Sequence, residues 1–231
     1  MLGVIVDCIG ILLGTTIGFL AKKVIPESWN DIVMKGLGLV SIYMGVDGAL
    51  VGENSLIAII AIVIGAMIGE GLQISQRFDR LAARAETYFD RKGSKSNFAQ
   101  GFIIASLQMC VGAMAVMGAL DAGLRGDYSL LFAKTAIDFT GGMMFAASLG
   151  VGVIFAAIPV FLFEGSITML ASYLEPVLTV DVINEMTCIG SILIIAMGLN
   201  LVADTKLKIM NFMPAVFLPI VLCPLFAMLP I

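Results

Sequence analysis

The feature that most constrains this sequence is a series of apolar runs, each about 20 residues long and nearly free of charged side chains. A helix of that length and composition crosses the hydrocarbon core of a bilayer. The alternating pattern of a membrane β-barrel is absent. The sequence therefore predicts an all-α polytopic membrane protein with about eight transmembrane spans, numbered here along the chain: 2–21, 31–51, 55–73, 98–122, 130–149, 151–173, 182–203 and 209–229.

One long polar stretch, residues 73–97, separates spans 3 and 4 within a single transmembrane domain, 1–231. Apolar residues recur in this stretch at helical spacing among charges, which favours an amphipathic helix in the membrane interface. A solvated charged linker is the alternative interpretation. The residues that carry the pattern are Phe78, Leu81, Ala82, Ala85 and Phe89.

Lysine and arginine residues predict the orientation, because short cytoplasmic loops carry an excess of them. With the N-terminus outside, the inner loops hold ten of the thirteen cations and the outer loops hold Arg125, while two lie inside spans. This distribution favours eight spans, a cytoplasmic linker and both termini outside. A seven-span count that merges residues 130–173 differently would put Lys206 and Lys208 outside. The N-terminus lacks the basic region and cleavage site of a signal peptide, so we expect span 1 to be retained.

The composition removes several classes of chemistry. The sequence has no histidine, which excludes His-based metal sites, Ser-His and Cys-His nucleophile pairs and histidine proton relays. The four cysteines are scattered through apolar segments without paired spacing. Esterase, metalloprotease and phosphate-binding motifs are absent. We predict that the chain is not an enzyme and has no metal site, cofactor or nucleic-acid partner.

Two short segments indicate an internal duplication. "IGFLAKKVIP" at 17–26 and "ITMLASYLEP" at 167–176 share four residues at identical spacing. Spans 1–3 then align with spans 6–8 around spans 4–5. Because the shift is five spans, the two halves have opposite orientations, as in the inverted repeats of secondary transporters. A rival, parallel relation joins "DGALVGENSL" (47–56) to "DAGLRGDYSL" (121–130), although turn chemistry accounts for part of that match.

Ionisable residues inside spans are expensive in a bilayer, so each one is a functional hypothesis. Lys134 and Asp138 lie on one helical face of span 5, and Glu164 lies in span 6. Under the predicted topology these residues have similar depths near the midplane, with Gln108 of span 4 somewhat deeper. The sequence therefore predicts a buried polar site here. The alternative is that Lys134 and Asp138 neutralise each other and only fix helix packing.

Span 6 continues after Glu164 with Gly165 and Ser166, which allow local unwinding. The corresponding place in span 1 holds Thr15 and Thr16. Interrupted segments at matching positions of two halves are a pointer to a transporter's binding site. We therefore add these four residues to the predicted site for an ion or small polar molecule.

Small residues recur on two helix faces, Gly10, Gly14 and Gly18 in span 1 and Gly65 and Gly69 in span 3. Such small-xxx-small ridges allow close helix packing, and we expect a homodimer through these glycine-rich faces.

Several carboxylates remain without a firm role in the sequence. Asp47 and Asp121, near the outer ends of spans 2 and 4, are wetted interfacial groups or the outer vestibule of a cation path. Asp7 in span 1 and Glu70 near the inner end of span 3 are undecided.

Five segments carry a resemblance to a known family. They are residues 32–39 (IVMKGLGL), "GENSL" (52–56), "ASLQMCVGAMAVMGAL" (105–120), "FAASLGVGVIFAAIPVFLFEGSITMLA" (145–171) and "EMTCIGSILIIAMGLN" (185–200). Over nearly its whole length the chain resembles the YqgA/YdfK family of bacterial membrane proteins, catalogued as a domain of unknown function. The resemblance implies a bacterial cytoplasmic membrane protein with an unassigned transport role. It brings no binding or catalytic residues.

These observations together predict a secondary transporter or ion permease for a small ion or polar metabolite. A passive channel and a non-transporting membrane scaffold are the alternatives. The lipid bilayer is the expected environment in each case.

Overall fold

The structure is a computed structural model that describes residues 1–21, 30–78, 80 and 98–228. Within these residues the chain is all-α and contains no strand, as predicted. Two 3-10 helices, η1 (Val151–Ala156) and η2 (Ile209–Phe217), precede α7 and α10. The α-helices are α1 (Leu2–Ala21), α2 (Asn30–Ala49), α3 (Ser55–Gly71), α4 (Phe98–Cys110), α5 (Ala113–Leu124), α6 (Ser129–Leu149), α7 (Ala157–Met169), α8 (Ala171–Leu174), α9 (Val180–Ala203) and α10 (Pro219–Ala227).

Each predicted span corresponds to a helical segment. Among the described residues, α1, α2, α6, η1 with α7, and α9 are long and apolar enough to cross a membrane. The bent pairs α4–α5 and η2–α10 raise that number to seven if each pair is one span. Helix α3, which corresponds to span 3, is apolar but shorter, with 17 residues. The chain is therefore a polytopic helical membrane protein.

Most of the polar stretch 73–97 lies outside the described residues, including Leu81, Ala82, Ala85 and Phe89. Its first part, 74–78, is helical. The Phe78 ring stacks on the Phe102 ring of α4, with their centroids 5.2 Å apart. This contact joins the start of the polar stretch to the start of span 4.

Two glycines with positive φ mark helix breaks, one inside predicted span 4 and one between predicted spans 5 and 6. Gly112 (φ 142°) separates α4 from α5, whose axes differ by 56°. Gly150 (φ 86°) ends α6 before η1. Side chains other than hydrogen are strained at such angles, so these breaks depend on glycine. The expectation of one continuous helix across span 4 is wrong. The break at Gly150 also separates the two segments that the seven-span alternative merges.

The glycine face of α1 packs against α6. A Cβ added to Gly14 would lie 2.2 Å from the Phe139 carbonyl oxygen, and one added to Gly18 would lie 2.0 Å from that of Met143. A Cβ added to Gly10 would lie 2.5 Å from the side-chain methyl carbon of Thr135. Later residues of α1 meet later residues of α6, so the two helices run parallel. Such close approach of backbones is how helices associate in lipid, where no hydrophobic effect drives them together.

Three further helix pairs are held by the same kind of contact. In the antiparallel pair α2–α9, Gly38 and Gly48 face Leu201 and Ser191 respectively. In the antiparallel pair α3–η2, Gly65 and Gly69 face Ala215 and Asn211. The third pair joins α4–α5 to η1–α7 in parallel: Gly152 faces Phe98, and Gly123 faces Thr168.

These contacts correct the expected dimer surface. The glycine face of α1 (Gly10, Gly14 and Gly18) already packs against α6 of the same chain. The glycine face of α3 (Gly65 and Gly69) already packs against η2. A homodimer through these glycine-rich faces is therefore not available to this fold. The sequence identifies a face suited to close packing but does not tell which helix covers it.

We expect Gly14→Ala to destabilise the protein by about 1–3 kcal/mol, because the new methyl group overlaps the α6 backbone. The matched control is Gly36→Ala in α2, where an added Cβ has no atom within 4 Å. That substitution gains helix propensity, about 1 kcal/mol at most. Thermal unfolding in detergent, followed with a thiol-reactive dye on the buried and half-buried cysteines, measures both. Equal unfolding temperatures for the two variants would contradict the packing described for α1 and α6.

Candidate functional site

The centre of the site is the ammonium group of Lys134, which contacts carboxylates from three helices. Its Nζ lies 3.0 Å from Asp7 Oδ2 on α1 and 2.9 Å from Glu164 Oε1 on α7. It also donates a hydrogen bond to Oδ2 of Asp138, four residues later on α6. One cation therefore joins α1, α6 and α7. We call these four residues the Lys134 cluster.

The packing of α1 against α6 places Asp7 in the cluster. Gly3 faces Leu131 and Gly10 faces Thr135. Asp7, between these two glycines, therefore lies level with Lys134. Glu164 comes from the middle of α7, which contacts the same end of α6. The fold thus brings together Lys134 and Asp138 of span 5 and Glu164 of span 6, which the sequence predicts to share a site.

The four side chains are withdrawn from the molecular surface. Asp7 and Glu164 are fully buried, and Lys134 and Asp138 are 5% and 6% exposed. Ions taken out of water lose several kcal/mol of solvation each, which close pairing and hydrogen bonds must offset. Here the offset is incomplete: Asp7 Oδ1 and Glu164 Oε2 have no hydrogen-bond partner among the described residues.

The charges of the cluster do not balance. With all groups ionised, one ammonium faces three carboxylates and the cluster carries two excess negative charges. Uncompensated charge of this size is very costly in an apolar interior. The cluster can become neutral by taking up two positive charges, either protons on its carboxylates or cations from outside.

The cluster is reached from a cavity of about 790 Å³ between α2, α4, α5, α6 and α9. Lys134 and Asp138 form part of its wall, as do Gln108 and Asp47. Asp7 and Glu164 are not among the described residues that line it and lie behind Lys134. The cavity therefore approaches the cluster from the side of Asp138.

The cluster residues lie at matching positions along their helices. Asp7 and Lys134 each lie five residues from the start of their helices, and Glu164 lies five residues from the end of α7. Five residues of helix correspond to about 8 Å, so these three residues are about equally far from those helix ends. Asp138 lies one turn further along α6, and the depth of the cluster in a membrane stays a prediction.

The predicted break after Glu164 is not where the helix is interrupted. Helix α7 continues through Gly165 and Ser166 and ends at Met169, before Leu170. Ser166 is exposed and its hydroxyl donates to the Phe163 carbonyl. The hydroxyl bonds to the backbone of its own helix, which is continuous here. The prediction of local unwinding at this point is therefore wrong.

The threonines of span 1 also bond to their own helix. Thr15 Oγ1 donates to the Ile11 carbonyl at 2.6 Å and is buried against Gly142. Thr16 Oγ1 donates to the Leu12 carbonyl and is exposed. Neither lines the cavity. Of the predicted additions, Gln108 does line it, with its Nε2 3.2 Å from Met44 Sδ.

The two residues predicted to form an outer vestibule, Asp47 and Asp121, lie in different places. Asp47 is exposed and lines the cavity. Asp121 forms a surface ion pair with Arg125 at 2.9 Å and does not line the cavity.

In the loop before α6, hydrogen bonds from the Ser129 hydroxyl and backbone N–H lower the pKa of Asp127. This stabilises the turn into α6.

Asp7 is the cluster residue that sequence reasoning left undecided. The signal was present, since Asp7 is an ionisable residue in an apolar span, five residues from the same face of the membrane as Lys134. What the sequence could not supply is that α1 and α6 are parallel neighbours.

Two other polar contacts fix the ends of α3. Glu185 of α9 is 3% exposed, and its Oε1 accepts from the backbone N–H groups of Glu53 and Asn54 at 2.8 and 2.7 Å, just before α3 begins. At the other end, Glu70 accepts from Asn211 and pairs with Lys208. No group of three metal-ligating side chains in the described ranges is placed to hold a metal ion.

Comparison with known proteins agrees with the resemblance seen in the sequence. A family model described as "Protein of unknown function (DUF554)" matches residues 2–224. The chain belongs to this family. It is 30% identical to the uncharacterized membrane protein YdfK of Bacillus subtilis (strain 168) over 223 residues, covering 95% of this chain and 94% of the relative. It is 26% identical to the uncharacterized protein YqgA of Escherichia coli (strain K12), covering 94% of each. No solved structure matches the chain.

We expect Lys134→Met to destabilise the protein by about 3–5 kcal/mol, because it leaves three buried carboxylates without their cation. The control is Lys208→Met, which breaks an ion pair whose side chains are 55% and 60% exposed and is worth about 0–1 kcal/mol.

Adding Asp138→Asn to Lys134→Met removes one of the stranded charges, so the double variant regains part of the loss. Apparent unfolding temperatures of the three variants measure the effect. A Lys134→Met protein that is as stable as the Lys208→Met control would contradict ionised carboxylates that depend on the ammonium of Lys134.

Proposed function

We propose that this family member is a secondary transporter or ion permease of the bacterial cytoplasmic membrane, and not an enzyme. The observation that carries the proposal is the Lys134 cluster at the wall of a 790 Å³ cavity. A protein that used these charges only for packing has no need of an excess of carboxylates next to a cavity. Intramembrane ionisable residues of this kind mark ion and proton paths.

The charge count suggests how coupling works. Because three carboxylates share one ammonium, a proton or cation that neutralises Asp138 releases Lys134 to pair with Asp7 and Glu164 alone. Lys134 is on α6, while Asp7 and Glu164 are on α1 and α7. Loading and unloading of Asp138 thus changes the attraction between three helices. This is a way for binding at the cavity to bias two arrangements of the bundle.

The helix pairing supports an inverted-repeat design. An inverted repeat has a two-fold axis in the membrane plane that exchanges span 1 with 6, 2 with 7, 3 with 8, and 4 with 5. This axis superposes the packed pair of spans 1 and 5 on the packed pair of spans 6 and 4. It superposes each of the packed pairs 2–7 and 3–8 on itself, which requires the two helices of such a pair to be antiparallel. The observed directions of all four pairs agree with this scheme. Part of the first repeat segment, residues 22–26, lies outside the described residues.

The transport proposal is tested in proteoliposomes with a trapped pH-sensitive dye and an imposed pH gradient. Na⁺, K⁺, Mg²⁺, amino acids, carboxylates and organic amines are added in turn, and a coupled substrate dissipates the gradient. We expect Asp138→Asn and Glu164→Gln to lower that flux at least 10-fold. Asp204→Asn is the control, since Asp204 is exposed at the end of α9 with φ 50°, an angle that asparagine accepts.

Two results of this assay would oppose the proposal. Normally folded Asp138→Asn and Glu164→Gln proteins that transport like the wild type would exclude the cluster from transport. Flux that rises linearly with the driving force, without saturation or dependence on a counter-ion, would favour a passive channel.

The proposed orientation, with both termini outside, has its own test. Alkaline phosphatase is active only outside the cytoplasmic membrane, and green fluorescent protein fluoresces only inside. We expect C-terminal fusions to give phosphatase activity and no fluorescence, and fusions after Arg80 to give the reverse. Fluorescence from the C-terminal fusion would require an odd number of spans with the N-terminus outside, or an inverted protein.

A further inference from the structure

The cavity beside the Lys134 cluster is larger than a bare ion needs. Its volume of about 790 Å³ falls in the range of sites for organic molecules, about 300–1,000 Å³. Most of its wall is apolar, with side chains contributed by α2, α5 and α6. Members of this apolar wall include Tyr43, Met44, Met114, Met144 and Phe145.

The polar part of the wall has a negative bias. The charged side chains that line it in the described part of the chain are Asp47, Lys134 and Asp138. Lys134 is already matched, since its ammonium contacts Asp138 and the two carboxylates behind it within 3.0 Å. An anionic ligand would have to compete with all three. A cationic ligand instead meets Asp138 and Asp47 and offsets part of the excess negative charge.

We propose that the cavity binds an organic cation whose apolar body packs on the aromatic and methionine side chains and whose charge faces Asp138 and Asp47. This assignment rests on the proposed transport function and names its substrate class. Aromatic rings attract cations through their faces, and thioethers adapt to irregular apolar shapes. Asp138 is the cluster carboxylate that lines the cavity, so the ligand reaches it without displacing Lys134 from Asp7 and Glu164.

The test compares two probes of the same shape and opposite charge, tetraphenylphosphonium and tetraphenylborate. Binding to purified protein in detergent is measured by equilibrium dialysis, with protein-free micelles to subtract partitioning. We expect saturable binding of tetraphenylphosphonium and none of tetraphenylborate. Asp138→Asn should weaken tetraphenylphosphonium binding at least 10-fold. Asp47→Asn, at an exposed position that tolerates substitution, should weaken it several-fold, and Asp204→Asn should leave it unchanged.

Three outcomes would overturn the assignment. Saturable binding of tetraphenylborate contradicts the sign of the ligand. Tetraphenylphosphonium binding that neither Asp138→Asn nor Asp47→Asn weakens contradicts the location. Binding of neither probe, together with Asp138-dependent flux of a small inorganic ion in proteoliposomes, contradicts the organic cation but leaves the transport function standing. Loss of all flux dependence on Asp138 and Glu164 is the separate result that removes the transport function itself.

Discussion

The arrangement of this bundle depends on one buried ammonium group. Lys134 contacts carboxylates on its own helix and on two neighbours, and all four side chains are removed from the surface. Removing the ammonium would leave three carboxylate charges that the apolar surroundings cannot solvate. The relative positions of α1, α6 and α7 are therefore set by an electrostatic requirement that apolar packing alone would not impose.

That requirement can be met because small residues let the helices approach. Gly10, Gly14 and Gly18 bring the α1 backbone against α6, and the register of this contact places Asp7 beside Lys134. A larger residue on this face would separate the two helices and with them the ion pair. Packing and charge are thus coupled. The cluster needs the glycines, because its ion pairs offset the desolvation of its buried members only at this register of α1 against α6.

Much of this could be predicted from the sequence, and the failures have physical reasons. The spans follow from the length of apolar runs, and Lys134, Asp138 and Glu164 follow from the cost of charge in lipid. Glycine is ambiguous, because it serves close packing and helix interruption alike: Gly112 breaks a span predicted to be continuous, while Gly165 stays within α7. The partner of each helix face is a long-range property, which is why Asp7 stayed undecided and a dimer was predicted where α6 packs.

The ratio of charges separates this cluster from a structural ion pair. In a structural pair the charges cancel, and replacement by apolar residues of similar size is often tolerated. Here three carboxylates face one ammonium. Three buried carboxylate oxygens, Asp7 Oδ1 and both of Glu164, have no hydrogen-bond partner among the described residues, although Glu164 Oε1 forms the ion pair with Lys134. An excess of this kind is costly in an apolar interior unless positive charge neutralises it. The cavity reaches the cluster at Asp138, so the proposed coupling between ligand binding and the packing of three helices rests on this charge count and on that opening.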